Sequence, residues 1–284
     1  MHNKDFAVFI LTHGRANNVI TLKTLKKQKY TGKYFIVIDD EDKQEKEYRD
    51  KFGDKVLQFS KKKIAKTFDT MDTQKDRRTI VYARNACFQL AKEVGVRYFL
   101  ELDDDYTDFQ FRYEESGKMK VKSIENIDEV FDAYLDFLKA SKADTVAMAQ
   151  GGDFIGGCKS GNFQKRLLRK AMNSFFCDVE KPFQFFGRIN EDVNTYTRLG
   201  SVGKIFLTAV DAMLTQKQTQ QNKGGMSDVY NASGTYLKSF YSVMIMPSAV
   251  KIAEMGDKHR RIHHNVSWEN CVPKILNQKW KKGG

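Results

Sequence analysis

A chain of 284 residues, 41% of them hydrophobic, can build one large domain around a sizeable core. No apolar stretch is long enough to span a bilayer, and Met1–Asp5 lacks the apolar region of a signal peptide. A soluble intracellular protein is therefore expected. The formal charge of +12 favours a polyanionic partner such as nucleic acid, an anionic membrane surface or phosphorylated substrates. A lysine-rich solubilising surface would give the same charge. The four cysteines, Cys87, Cys158, Cys177 and Cys271, form no C-x-x-C pair, which argues against a zinc ribbon or a disulfide framework.

In chain order, Ala7–Leu11 is a continuous apolar run that suits a strand buried on both faces. It ends in Thr12-His13-Gly14-Arg15. A helix follows, with Val19, Ile20, Leu22 and Leu25 on its apolar face. Tyr34–Ile38 is a second strand, ending in Asp39-Asp40, and Val56–Phe59 a third. Arg84–Val94 has helical spacing. Tyr98–Leu102 is a strand that runs into Asp103-Asp104-Asp105. Ile124–Ala140 reads as an amphipathic helix and Thr145–Ala149 as a strand. The glycines between Gly151 and Gly161 mark a flexible stretch, and Gln216–Gly225 a polar mobile loop. Alternation of strands and helices predicts an α/β sheet, in which ligands gather beyond the carboxyl ends of the strands. One domain, 1–284, with a C-terminal elaboration is expected.

The triple Asp carries the sharpest chemistry. Period-two alternation points Asp103 and Asp105 one way and Asp104 the other. Two hard oxygen ligands at a strand end suit Mg²⁺ or Mn²⁺, which take one or two carboxylates and fill the shell with water and phosphate. A solvated acidic turn is the plain alternative. Gly14 serves a tight turn. Asp39 or Asp40 can accept hydrogen bonds from a base or ribose, or be an ordinary loop carboxylate. Arg84 either contacts a base or diphosphate or pairs with a nearby Asp. Asn190-Glu191-Asp192 supplies either a catalytic base or a helix N-cap with acidic residues in the first turn. Asp257–Asn265 packs His259, His263 and His264 against Arg260 and Arg261, a combination suited to metal and phosphate. Lys61-Lys62-Lys63, Lys165–Lys170 and Lys279–Lys282 around Trp280 are candidate basic patches. Phe175, Phe176, Phe183, Phe185 and Phe186 read as core rather than as a stacking surface.

These residues resemble a GT-A nucleotide-sugar glycosyltransferase, a Rossmann-like fold with a central, mostly parallel sheet flanked by helices. The triple Asp stands at its D-x-D position, and Tyr82-Ala83-Arg84-Asn85 resembles its Arg-Asn helix start. The chain is also similar to a narrower group, the phage-type TET/JBP-associated glycosyltransferases. That similarity rests on LELDDDY (100–106), GRINEDVNTY (187–196), GTYLKSFYSVMIMPS (234–248) and RIHHNVSW (261–268). The resemblance implies a nucleotide-sugar-binding half over 1–110, an acceptor half with the C-terminal segment over 111–284, and a UDP-sugar donor held by Thr12, His13, Gly14, Arg15, Asp39, Asp40, Arg84, Asn85 and Asp104. It implies Mn²⁺ or Mg²⁺ on Asp103 and Asp105 with His263 or His264, and Asp192 or Glu191 as catalytic base. The implied acceptor is a hydroxymethylated base in double-stranded DNA, above all 5-hydroxymethylcytosine. The implied setting is the cytoplasm, the host's if the chain is phage-encoded. The alternatives are a polysaccharide, lipid or protein acceptor, or a DNA-binding module without catalysis.

Overall fold

The computed structural model describes residues 1, 3–73, 77–216, 237–255, 261–275, 278 and 281. The 217–225 part of the expected polar loop, Asp257–Arg260, and Trp280 with its neighbouring lysines other than Lys281 lie outside these residues.

The amino-terminal half alternates strand and helix: β1 (Phe6–Leu11), α1 (Ile20–Lys27), β2 (Lys33–Asp39), α2 (Glu45–Phe52), β3 (Val56–Phe59), α3 (Lys61–Ile64), α4 (Val81–Glu93) and β4 (Tyr98–Asp103). β3, β2, β1 and β4 lie side by side and parallel, each bordered by its neighbour. β1 is buried along its whole length, as its unbroken apolar run requires, because helices cover both faces. All three parallel strands with chemistry at their ends therefore open onto one edge.

A hairpin follows directly, β5 (Tyr106–Glu115) and β6 (Lys118–Ser123), then α5 (Ile127–Ser141), β7 (Thr145–Ala149), α6 (Gly161–Lys165), β8 (Leu167–Leu168), β9 (Ser174–Asp178), α7 (Glu191–Ser201) and β10 (Phe206–Gln216). Among the described residues these strands extend the sheet to ten, in the order β3-β2-β1-β4-β9-β7-β10-β5-β6 with β8 on β10. β9 runs antiparallel between β4 and β7, while β7 and β10 are parallel. This is the α/β, GT-A-like sheet with flanking helices that the sequence predicts, with antiparallel strands added beyond β4. The Gly151–Gly161 stretch is not irregular throughout: it forms short 3-10 turns at Gly151–Phe154 and Gly157–Lys159 before α6. The C-terminal elaboration contains a helical stretch over 237–245 and a separate two-stranded sheet, β11 (Val250–Met255) and β12 (Arg261–Val266).

One core cluster lies on the α1/α5 side of the sheet and joins Phe6, Phe109, Phe131 and Phe176. The other lies on the α4/α7 side and joins Phe9, Phe88, Phe99, Phe175, Phe183 and Phe185. The aromatic residues of 175–185 are thus core, as expected. No helix among the described residues is long and apolar enough to cross a membrane.

Candidate active site at the carboxyl edge of the sheet

Beyond β1 the chain turns sharply at Gly14, whose φ of +66° favours glycine although nothing crowds its Cβ position. The turn exposes backbone N–H groups that side chains from the segment after β2 capture. Gly14 N donates to Asp42 Oδ2 (2.7 Å), Arg15 N to Tyr48 Oη (2.8 Å) and Ala16 N to Gln44 Oε1 (2.9 Å). Thr12 Oγ1 donates to Asp104 Oδ2 (2.6 Å) and pairs with Tyr48 Oη (2.9 Å), while Arg15 Nη1 donates to Asp104 Oδ1 (2.7 Å). Asp104 is buried and committed to these partners.

Asp39 is committed too. Its Oδ2 meets His13 Nδ1 (2.8 Å) and Lys61 Nζ (3.0 Å), and its Oδ1 accepts Glu41 N (3.0 Å). Burial pushes the Asp39 carboxyl up, but the His13 hydrogen bond and the Lys61 ammonium outweigh it and hold it below the usual range. The same hydrogen bond raises His13. Lys61 is buried in this pair, so Lys61-Lys62-Lys63 is not a three-lysine surface patch. Asp40 is exposed, its Oδ1 accepting Lys61 N (2.9 Å).

The extended backbone of β4 stops at Asp103, and Asp104-Asp105 form the turn into β5. Strict alternation therefore does not carry through the triple Asp. The start of α1 fixes this turn: Thr21 Oγ1 donates to Asp103 O (2.5 Å), Thr21 N donates to Asp104 O (3.0 Å), and Tyr106 N donates to Thr21 Oγ1 (2.9 Å). Asp103 and Asp104 then face different arginines. Burial, then the charges of Asp103 and Asp104, push the half-buried Asp105 up to about 6.

Arg84, in the first turn of α4, is buried between the rings of Phe175 (4.7 Å) and Phe185 (5.6 Å). Its Nη2 lies 3.5 Å from Asp103 Oδ1 and its Nη1 3.0 Å from Glu191 Oε1. The Nη1 hydrogens are not aimed at that carboxylate, so the contact is ionic rather than a directed hydrogen bond. The salt-bridge alternative for Arg84 is thus present in the structure, and it links the triple Asp to the start of α7. Glu191 is pushed up to about 7, chiefly by burial and then by Asp192, with Arg84 acting against them. Asn85 does not join this group. Its amide is spent on the backbone of Phe185, donating to the carbonyl (3.1 Å) and accepting from the N–H (2.8 Å).

The corner before α7 is tightly knit. Asn190 has φ +54° and its side chain makes no capping bond, so the N-cap alternative is not realised through that side chain. Its side chain donates instead to Lys238 O (2.7 Å) and Ser242 Oγ (3.1 Å). Glu191 and Asp192 do occupy the first turn, and Asp192 Oδ1 accepts Val193 N (2.7 Å). Arg188, fully buried, donates from Nε to Asp72 Oδ2 (2.7 Å), which Tyr241 also contacts.

His263 and His264 lie on β12 with ring centroids 4.3 Å apart. Burial, then His263, push His264 down to about 4, and its Nδ1 is buried without a hydrogen-bond partner. Among the described residues no three His, Cys, Asp or Glu side chains converge to hold a metal, so the two histidines do not complete a cluster with Asp103 and Asp105. The carboxylates still fit a hard cation. Asp105 is destabilised as an anion by burial and then by its acidic neighbours, and Mg²⁺ or Mn²⁺ needs only one or two protein carboxylates when phosphates share the shell.

Three participants escaped the sequence reading. Asp42 and Tyr48 sit among ordinary surface-like residues and carry no local signal. Glu101 does: it is a charged residue inside the apolar run Tyr98–Leu102, fully buried, with its carboxyl well above the usual range because of that burial.

A sequence model of the family described as TET-Associated Glycosyltransferase matches residues 6–225. No curated protein matches the chain. Among solved structures, the chain is similar to glucosyl-3-phosphoglycerate synthase from Mycobacterium tuberculosis in complex with Mg²⁺ and uridine diphosphate. The identity is 11%, the TM-score 0.45, and the match covers 92% of this chain and 87% of that one. A mycobacterial protein is similar at 8% identity and a TM-score of 0.43, covering 92% of this chain and 83% of its own.

Proposed function

The chain belongs to the TET-associated glycosyltransferase family, and from that premise we propose that it moves a sugar from a UDP-sugar to a hydroxymethylated base in DNA, 5-hydroxymethylcytosine, with Mg²⁺ or Mn²⁺. The observation that carries the site assignment is the pairing of Asp103 and Glu191 across the buried Arg84. It brings a carboxylate turn at one strand end beside an acidic helix start, the groups that cation binding and removal of an acceptor proton call for.

In this reading the exposed Asp40 and half-exposed His13 take the base and ribose of the donor, with Arg15 beside the diphosphate. Asp39 and Asp104 hold that rim in shape. Asp103 and Asp105 hold the cation. When bound, the cation neutralises charge developing on the departing diphosphate. The acceptor hydroxyl attacks the anomeric carbon, its proton passes to the Glu191–Asp192 pair, and the bond to UDP breaks. A carboxyl held at about 7 is poised for such a transfer near neutrality. A DNA acceptor and a nucleotide-sugar donor put the reaction in the cytoplasm, and the +12 charge suits a phosphate-rich acceptor.

Thermal melting with UDP, with and without Mn²⁺, tests the donor half. UDP raises the melting temperature with Mn²⁺ present and does so far less without it, and Asp105→Ala removes the difference. Equal protection of the wild type in both conditions would remove the cation from the reading.

A further inference from the structure

Resting on the DNA-acceptor reading, we propose that the β5–β6 hairpin is a DNA-binding wing that grips duplex flanking the target base. The hairpin is a rigid two-residue connection: Ser116 (φ +52°) and Gly117 (φ +74°) both take the left-handed values that a type I′ turn requires. Register sets its faces. Phe111 stands opposite Lys122, Tyr113 opposite Lys120 and Glu115 opposite Lys118, so these six side chains share one face.

The base of that face is core. Phe109 packs on Phe131 of α5 (6.0 Å), and Gln28 at the end of α1 bonds its carbonyl (2.7 Å). Beyond the helices no described residue packs over the two rings fully, and Phe111 and Tyr113 are 38% and 39% exposed. The opposite face is partly covered instead, with Arg112 over the Phe154 ring (5.4 Å) and Met119 against the same cluster.

Lysines on an edge strand keep it from pairing with another chain. That accounts for Lys118, Lys120 and Lys122 but not for two aromatic rings left exposed between them. A polyanion with apolar sugar and base edges accounts for both. The face carries three cations to one carboxylate. The ion pairs it does make, Lys120–Glu115 (3.6 Å) and Lys122–Glu125 (3.3 Å), join exposed groups and yield readily to phosphate. A two-stranded β-ribbon also fits the DNA major groove.

The hairpin begins at the candidate site, since Tyr106 directly follows Asp105. Eight residues of strand from Asp105 to Tyr113 span roughly 27 Å. That is about eight base pairs of duplex. β5 runs antiparallel to β10, back from the carboxyl edge, so duplex flanking a base seated there meets the wing by running along that side of the sheet.

The test is binding of a fluorescent duplex of about 30 base pairs, with one central 5-hydroxymethylcytosine, across a salt series. The full-length wild type is compared with Lys118→Ser/Lys120→Ser/Lys122→Ser and with Phe111→Ser/Tyr113→Ser. The lysine variant should flatten the salt dependence by about 2.7 in logarithmic slope, three contacts at about 0.9 each. Between ~50 and ~200 mM salt that is about a 40-fold smaller loss of affinity than the wild type shows. The aromatic variant should weaken binding with the slope unchanged. Both should keep the wild-type UDP-dependent melting shift, which shows that they fold. Trimming the flanks to fewer than about eight base pairs should erase the difference between wild type and variants. Wild type that binds no duplex would sink the DNA-acceptor reading itself. Wild type that binds while both variants match it would overturn the wing alone. So would variants with unchanged DNA affinity but an altered oligomeric state.

Discussion

Replacing Asp105 with Asn should stabilise the metal-free protein while removing its cation dependence. Asp105 rises from an ordinary 3.8 to about 6 because burial and the neighbouring Asp103 and Asp104 disfavour its ionised form. A folded-state pKa above the unfolded one means that ionisation costs stability. The cost is absent below the unfolded value of 3.8, grows between 3.8 and about 6, and is complete above about 6. The shift corresponds to about 3 kcal/mol, which screening of a half-buried side chain reduces to about 2 kcal/mol. Urea unfolding in EDTA should therefore find Asp105→Asn about 2 kcal/mol more stable than wild type near pH 8, with the gap closed near pH 3.5. Mn²⁺ should then stabilise the wild type and leave the variant nearly unmoved. A variant less stable than wild type by the same margin at both pH values would refute the charge crowding on which the cation assignment rests.

Arg84→Leu strips the counter-charge from buried Glu191 and Asp103 and should cost about 3–5 kcal/mol, more above neutrality than below. Thermal unfolding reads it, and a loss below about 1 kcal/mol would contradict the pairing. Asn85→Ala gives up both hydrogen bonds to Phe185 and should lose about 1–3 kcal/mol of stability with donor affinity unchanged. Weaker UDP binding at full stability would instead put Asn85 in the nucleotide site. Asp192→Asn and Glu191→Gln should slow turnover by about 10²–10⁴ while UDP still binds. If neither variant falls tenfold, the base lies elsewhere.

The strands that carry the site were legible because each is a short apolar run that stops at polar residues. Thr12, Asp39 and Asp103 all fall where the runs end. What the chain does after those ends was not legible. Alternation at the triple Asp fails because the chain turns at Asp104, held by Thr21 from a helix some eighty residues earlier. The fate of Lys61 depends on Asp39 across a strand boundary, so a run of three lysines reads as surface. Phe175-Phe176-Cys177 gives no sign of lying antiparallel between β4 and β7, because a strand buried on both faces looks alike in either direction. The β5–β6 hairpin did leave a trace in Phe109, Phe111 and Tyr113 at period two before Ser116-Gly117. His263 and His264 suit a metal by type, yet the β11–β12 hairpin holds them without a third ligand among the described residues.

Nucleoside mass spectrometry reads sugar transfer to modified DNA on the acceptor itself. The protein is incubated with Mn²⁺, a panel of UDP-sugars and duplex DNA containing 5-hydroxymethylcytosine, and the DNA is digested to nucleosides. One hexose or pentose is gained on 5-hydroxymethylcytosine and none on unmodified cytosine. Metal-dependent UDP-sugar turnover with no mass gain on the DNA would contradict the acceptor, and no turnover at all would contradict the donor site as well.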